Sequence, residues 1–134
     1  MQNNEIRQLV QTYMQAWNER DTGFRQELLG QCWGADAVYV DPSVQLAGRE
    51  ALSDRISSVQ LERPGSRLEF VSDIDAHHSV VRFLWRVVRA DGSFGDTSTD
   101  FGEVGLDGRL KKMVGFFGAP PSIKLSWSSP MRSI

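Results

Sequence analysis

Cysteine is nearly absent: Cys32 is the only one in 134 residues, so no internal disulfide can form and no cysteine-based metal site exists. Basic clusters are missing too. The 15 Lys and Arg against 17 Asp and Glu leave a net charge of −2, with no Lys/Arg-rich stretch of the kind a nucleic-acid or anionic-membrane surface needs. No apolar run approaches the ~20 residues of a membrane span. The opening Met-Gln-Asn-Asn-Glu has neither the basic start nor the apolar stretch of a signal peptide, so the expected location is the cytoplasm. Phosphate loop, Cys/His metal spacing, nucleophile elbow and internal repeat are all absent. The adjacent His77-His78 reads as a turn, where two neighbouring imidazoles do not converge on one ion. The expectation is a protein that uses neither metal nor cofactor.

What is present is an ordinary globular composition, 40% hydrophobic and 24% charged. It fits one domain over residues 1–118, followed by a Ser/Pro-rich tail over 119–134. Residues 3–20 form an amphipathic helix, with Ile6, Leu9, Val10, Tyr13, Ala16 and Trp17 on one stripe. Asp21-Thr22 caps a second helix carrying Phe24, Leu28, Leu29 and Cys32, which Gly34 should end. A short strand over 37–41 closes at Pro42. A third helix over 48–60 turns Leu52, Ile56 and Val59 inward and Arg49, Glu50, Asp54 and Arg55 outward, and Pro64-Gly65 breaks the chain.

Four strands follow. The first runs over 67–74, with a turn at 75–78. Read as two-residue primed turns, Asp91-Gly92 and Asp107-Gly108 place Phe83 opposite Asp100 and Asp100 opposite Gly115. One sheet face then carries Val81, Phe83, Trp85, Ser98, Asp100, Gly102, Met113 and Gly115, and the other carries Arg82, Arg86, Glu103 and Lys112. Glu103 and Lys112 should form a cross-strand ion pair. Helices early and an antiparallel sheet late make an α+β architecture, with the helices on the face that bears Asp100. A carboxyl group there is costly unless something uses it. Gly102 and Gly115 remove side chains on either side of it, which should leave room for a ligand.

Tyr13-x-x-x-Trp17-Asn18-x-x-Asp21, Val40-Asp41-Pro42, Gly48, and Asp100-Phe101 through Asp107-Gly108-Arg109 to Gly115-Phe116-Phe117-Gly118, in this order, resemble the NTF2-like superfamily. Within it the pattern is most similar to ketosteroid isomerase-like and SnoaL-like (polyketide cyclase-like) proteins. The resemblance implies a cone of three N-terminal helices on a curved antiparallel sheet, a deep apolar pocket between them, and a homodimer. Carried over residue by residue, it implies Tyr13 as oxyanion donor, Asp41 as general base, and Asp100 as a second donor, an acid kept protonated. The third helix departs from the pattern, with Arg55 and Ile56 where aromatic residues are expected.

The chemistry also stands without the family. Proton abstraction beside a carbonyl needs a base, and donors where the enolate oxygen gathers charge. Asp41, Tyr13 and Asp100 can supply these. Equally, Tyr13 can be a core tyrosine, Asp41 the cap of a turn before Pro42, and Asp100 the partner of a nearby donor. Trp17, Tyr39, Phe70, Phe83, Trp85, Met113 and Phe117 form an aromatic-rich wall, fit for core packing or for a small, flat, apolar ligand. Two rivals to enolisation remain open. One is hydration, dehydration or epoxide opening in the same pocket with an ionised Asp100, and the other is a non-catalytic binding or dimerisation module.

Overall fold

A computed structural model of the chain describes residues 2–124; the tail expected over 119–134 therefore lies largely outside the described residues. Helix α1 (Asn3–Asn18) buries Ile6, Val10, Tyr13, Ala16 and Trp17 of the expected stripe and half-buries Leu9, with Met14 buried as well. Its last residue is the link to the sheet. Asn18 donates from Nδ2 to the Leu68 carbonyl at 2.9 Å and accepts from the Leu68 N–H at 2.8 Å, pairing as a strand residue would.

Asp21 caps α2 (Thr22–Cys32), its Oδ1 accepting from the Phe24 N–H at 2.9 Å. The buried stripe of α2 is Arg25, Leu29 and Cys32, whereas Phe24 faces solvent, contrary to expectation. Arg25 displaces it because its donors are all used. They reach the Glu19 carbonyl, the Ser53 carbonyl, Ser57 Oγ and Gln60 Oε1, tying the end of α1 to α2 and α3 (Arg49–Glu62). Gly34 does not end α2. It lies inside β1 (Trp33–Val40), where a Cβ would come 3.2 Å from the Leu110 carbonyl.

The remaining strands are β2 (Gln45–Ala47), β3 (Arg67–Phe70), β4 (Asp75–His77), β5 (Val80–Val88), β6 (Ser98–Val104) and β7 (Leu110–Phe116). The sheet order is β2-β1-β7-β6-β5-β3, with β4 also paired to β5. β1 and β7 run parallel, Tyr39 beside Met113 and Val40 beside Val114, so the sheet is mixed rather than antiparallel. Parallel neighbours need a long crossover and leave no local turn signal. Residues 75–77, expected in a turn, are strand; the turn is His78-Ser79, both with positive φ (49° and 67°). The three helices and the curved, open sheet form the expected α+β cone.

Both Asp-Gly turns are one residue longer than expected. Gly92 donates to the Arg89 carbonyl at 2.9 Å while Arg89 donates to Ser93 at 2.8 Å, closing a three-residue loop with Gly92 at φ 85°. Gly105 to Arg109 repeats this around Gly108, at φ 77°. Each shift is cancelled by an irregularity further along the strands. Val88 bridges Phe94 but Trp85 pairs with Ser98, and Val104 pairs with Leu110 but Glu103 with Lys112. Phe83 thus still faces Asp100, and Asp100 still faces Gly115. The extra residue is Lys111, and its ammonium, not that of Lys112, approaches Glu103 at 3.9 Å.

Candidate functional site

Gly115, Asp100 and Phe83 form one row across strands β7, β6 and β5, and Asp41, the residue after β1, lies beside Gly115. Asp100 pairs with Gly115 on one side and Phe83 on the other, and a Cβ on Gly115 would sit 3.7 Å from Asp41 Cβ. α1 and α3 cover this row. Between them lies a cavity of about 390 Å³ that Tyr13, Asp41 and Asp100 all line.

Asp41 does two things at once. Oδ1 accepts from the Ser43 and Val44 N–H groups at 2.7 and 3.0 Å, closing the turn from β1 to β2 at Pro42. Oδ2 accepts from the Tyr39 hydroxyl at 2.8 Å, and Arg55 Nη2 stands 3.9 Å away. The turn-capping bonds and the bond from Tyr39 therefore fall to different oxygens of one carboxylate.

Asp100 is buried, and its one hydrogen bond from the described residues comes from Trp85 Nε1 to Oδ1 at 2.8 Å. Burial pushes its carboxyl up to about 7; the Trp85 N–H opposes the rise and the negative charge of Asp41 adds to it. Tyr13 is buried, and its hydroxyl has no hydrogen-bond partner among the described residues. Burial, followed by the charge of Asp100, holds the Tyr13 phenol well above its ordinary value; the nearby Trp17 indole N–H opposes the rise without reaching hydrogen-bond geometry. Its ring is fixed by stacking on Trp33 at 5.6 Å and by the edge of Trp17 at 6.5 Å. Burial and the hydrogen bond to Asp41 likewise raise Tyr39.

Of the expected wall, Trp17, Tyr39, Phe83, Trp85 and Phe117 line the cavity. Phe70 and Met113 do not. Phe70 packs edge-on against Phe83 at 5.4 Å, and Met113 is fully buried in the core. Nor do the glycines open space for a ligand. A Cβ on Gly102 would meet Met113 Sδ and Cε at 3.0 Å, and one on Gly115 would meet Asp100 Oδ1 at 3.0 Å. Gly115 makes room for the carboxyl group itself.

The sequence reading missed Arg55, which lines the cavity instead of facing solvent. Its spacing was the available signal. It lies three residues after Leu52 and four before Val59, both on the inner side of α3, and only its charge suggested the outer face. Ser43, at the Asp41 turn, and the rim residues Arg63 and Arg89 also went unnoticed. Among the described residues no cluster of metal-ligating side chains occurs and no helix is long and apolar enough to cross a membrane.

No family model and no curated protein matches this chain. Solved structures do. A candidate isomerase of the SnoaL-like family from Agrobacterium tumefaciens is 34% identical, with a TM-score of 0.79 over 84% of this chain and 96% of that one. A SnoaL-like protein of unknown function from Burkholderia thailandensis matches at 15% identity and a TM-score of 0.67, over 89% of this chain and 99% of that one. A protein of ketosteroid isomerase-like fold from Catenulispora acidiphila matches at 13% and 0.65, over 82% and 85%. The last two share the fold alone. The first shares sequence along nearly its whole length, and with it this chain belongs to the SnoaL-like family, on the NTF2-like fold.

Proposed function

We propose that the chain is a cofactor-free acid/base enzyme that enolises a small, largely apolar carbonyl compound, with isomerisation or aldol-type cyclisation as the outcome. Asp41 Oδ2 takes a proton from the carbon beside the carbonyl. The electron pair of that C–H bond moves into the new C=C bond, and the carbonyl π pair moves onto oxygen. Tyr13 and protonated Asp100 donate hydrogen bonds to that oxygen. Return of the proton to a different carbon gives an isomer; attack of the enolate carbon on a second carbonyl gives a ring. General-base catalysis is worth roughly 10²–10⁴-fold, and each oxyanion donor roughly 10²–10³-fold.

One observation carries this reading. Tyr13 offers an unpartnered buried hydroxyl to the cavity that also holds Asp100, a carboxyl whose surroundings favour its proton up to pH about 7. Two acidic donors without acceptors suit a developing oxyanion. The two acids sit in different surroundings. Asp41 has backbone N–H groups, Tyr39 and Arg55 around it; Asp100 has a single indole N–H in apolar surroundings.

The test is deuterium exchange next to the carbonyl of 2-tetralone in D₂O, followed by NMR. Wild type should accelerate exchange and Asp41→Asn should lose at least about 100-fold of it. Equal exchange by both proteins removes the enzymatic reading, and tight binding of 2-naphthol without exchange leaves a binding module. Hydration or epoxide opening with an ionised Asp100 is disfavoured by the burial of that carboxyl. The proposal extends to a homodimer through the outer sheet face, and to the cytoplasm, where the free Cys32 stays reduced.

A further inference from the structure

We infer that the substrate carries a carboxylate and that Arg55 binds it beside the reacting carbon; this rests on the reading of the cavity as a catalytic pocket. Four other arginines set the comparison. Arg25, Arg49, Arg86 and Arg109 are all at least partly buried, and each donates its Nε–H to an oxygen, at 3.1, 2.7, 2.7 and 2.9 Å respectively. Arg55 is different. Among the described residues its buried Nε has no partner, and the nearest anion is Asp41 Oδ2 at 3.9 Å, beyond hydrogen-bonding distance. A cavity-lining guanidinium with a buried N–H left unfilled is costly, and a ligand that engages the group can offset that cost.

Service to Asp41 does not account for it. Asp41 already accepts three hydrogen bonds of 2.7 to 3.0 Å, from Ser43, Val44 and Tyr39. The donors left over on Arg55 form a planar fork that matches a carboxylate and has no equivalent use for a neutral carbonyl. The position also solves a problem the reaction would create. A carboxylate-bearing substrate is repelled by a carboxylate base, and a cation 3.9 Å from Asp41 offsets that repulsion where the two anions meet. Arg63, Arg89, Glu62 and Asp96 also line the cavity, two of each sign. The substrate class is thus a keto acid or a carboxylated aromatic ketone, with its apolar body against Trp17, Phe83 and Trp85.

Calorimetric titration at about pH 6, where an aromatic acid is ionised, tests this with two probes of equal shape, 2-naphthoate and 2-naphthamide. Wild type should prefer the acid by about tenfold or more. Arg55→Met should abolish that preference while leaving amide affinity within about twofold, and Arg55→Lys should restore part of it. Equal affinity of wild type for the two probes, no acid binding at millimolar concentration, or equal weakening of both probes in Arg55→Met overturns the assignment. Should Arg55→Met not fold, the wild-type acid-to-amide ratio still decides. Failure of the two proposals is separable. An Arg55-dependent acid preference without tetralone exchange removes the enzyme and keeps the carboxylate site; exchange without acid preference does the reverse.

Discussion

Trp85 Nε1 donates to Asp100 Oδ1 at 2.8 Å, and this indole is the group that limits how far the buried carboxyl can hold its proton. The bond favours the ionised form, so Trp85→Phe should move the ionisation of Asp100 upward from about 7. If neutral Asp100 is an oxyanion donor, wild-type activity falls as pH rises through about 7, and in Trp85→Phe that limb moves to higher pH. A pH–rate profile of tetralone exchange for both proteins checks it; a limb unmoved by the substitution removes Asp100 from the reaction.

The same ionisation has a consequence for stability. The Asp100 carboxyl is raised in the folded protein, from 3.8 to about 7, so between those values the folded state binds the extra proton. The contribution of this group is therefore full below about pH 4 and is lost progressively as pH rises to about 7, by a few kcal/mol at most. Asp100→Asn, which has no proton to lose, should flatten that slope in urea unfolding between pH 4 and 7. Parallel slopes for the two proteins would show that Asp100 ionises as an ordinary carboxyl.

Tyr13 should show opposite effects on stability and activity. Its buried hydroxyl has no partner among the described residues, so Tyr13→Phe removes a desolvated group without breaking a bond to the protein. The variant should be as stable as wild type or more stable, by up to about 1 kcal/mol, and slower by roughly 10²-fold. Thermal melting and tetralone exchange on the same sample check both. A destabilised but fully active Tyr13→Phe would make Tyr13 a core residue and nothing more.

Much of this was legible in the residues. Two-residue Asp-Gly turns put Asp100 opposite Phe83 and Gly115; both loops hold three residues, and an irregularity further along each hairpin restores that register. Sequence periodicity averages over such paired shifts, which is why the face assignment survived while Lys111 and Lys112 exchanged roles. The parallel pairing of β1 with β7 was hidden because it joins residues more than 70 apart and leaves no turn between them. Arg25 and Arg55 were hidden for a different reason. A charged side chain on an inner helical position is read as solvent-facing until its partners, or the lack of them, are known.

The two glycines flanking Asp100 make separate predictions, because different atoms fill their space. At Gly115 a methyl group would press on Asp100 Oδ1 at 3.0 Å, next to Asp41, so Gly115→Ala should cost both activity and about 1–3 kcal/mol of stability. At Gly102 it would meet the Met113 thioether at 3.0 Å and Val81 Cγ1 at 3.1 Å, with no carboxyl atom among its nearest neighbours, so Gly102→Ala should also cost about 1–3 kcal/mol of stability but leave tetralone exchange within a fewfold of wild type. Loss of activity in both variants to the same degree would mean that general core distortion, not the placement of the carboxyl, governs the site.

The outer face of the sheet carries the last prediction. Leu84, Thr99 and Phe116 form one row across β5, β6 and β7, and Arg82, Phe101 and Val114 form the next. Leu84, Phe101 and Phe116 are exposed on this face, at 36%, 40% and 63%, in adjacent rows rather than scattered. A contiguous apolar patch on a sheet is a site for a second sheet, and a second copy of this chain presents the same patch to it. Sedimentation should show a dimer at micromolar concentration, and the double substitution Phe101→Glu, Phe116→Glu should give a monomer. Because the cavity opens on the opposite face, that monomer should still bind 2-naphthol. A wild-type monomer throughout the concentration range would leave the patch unexplained and remove self-association from the account.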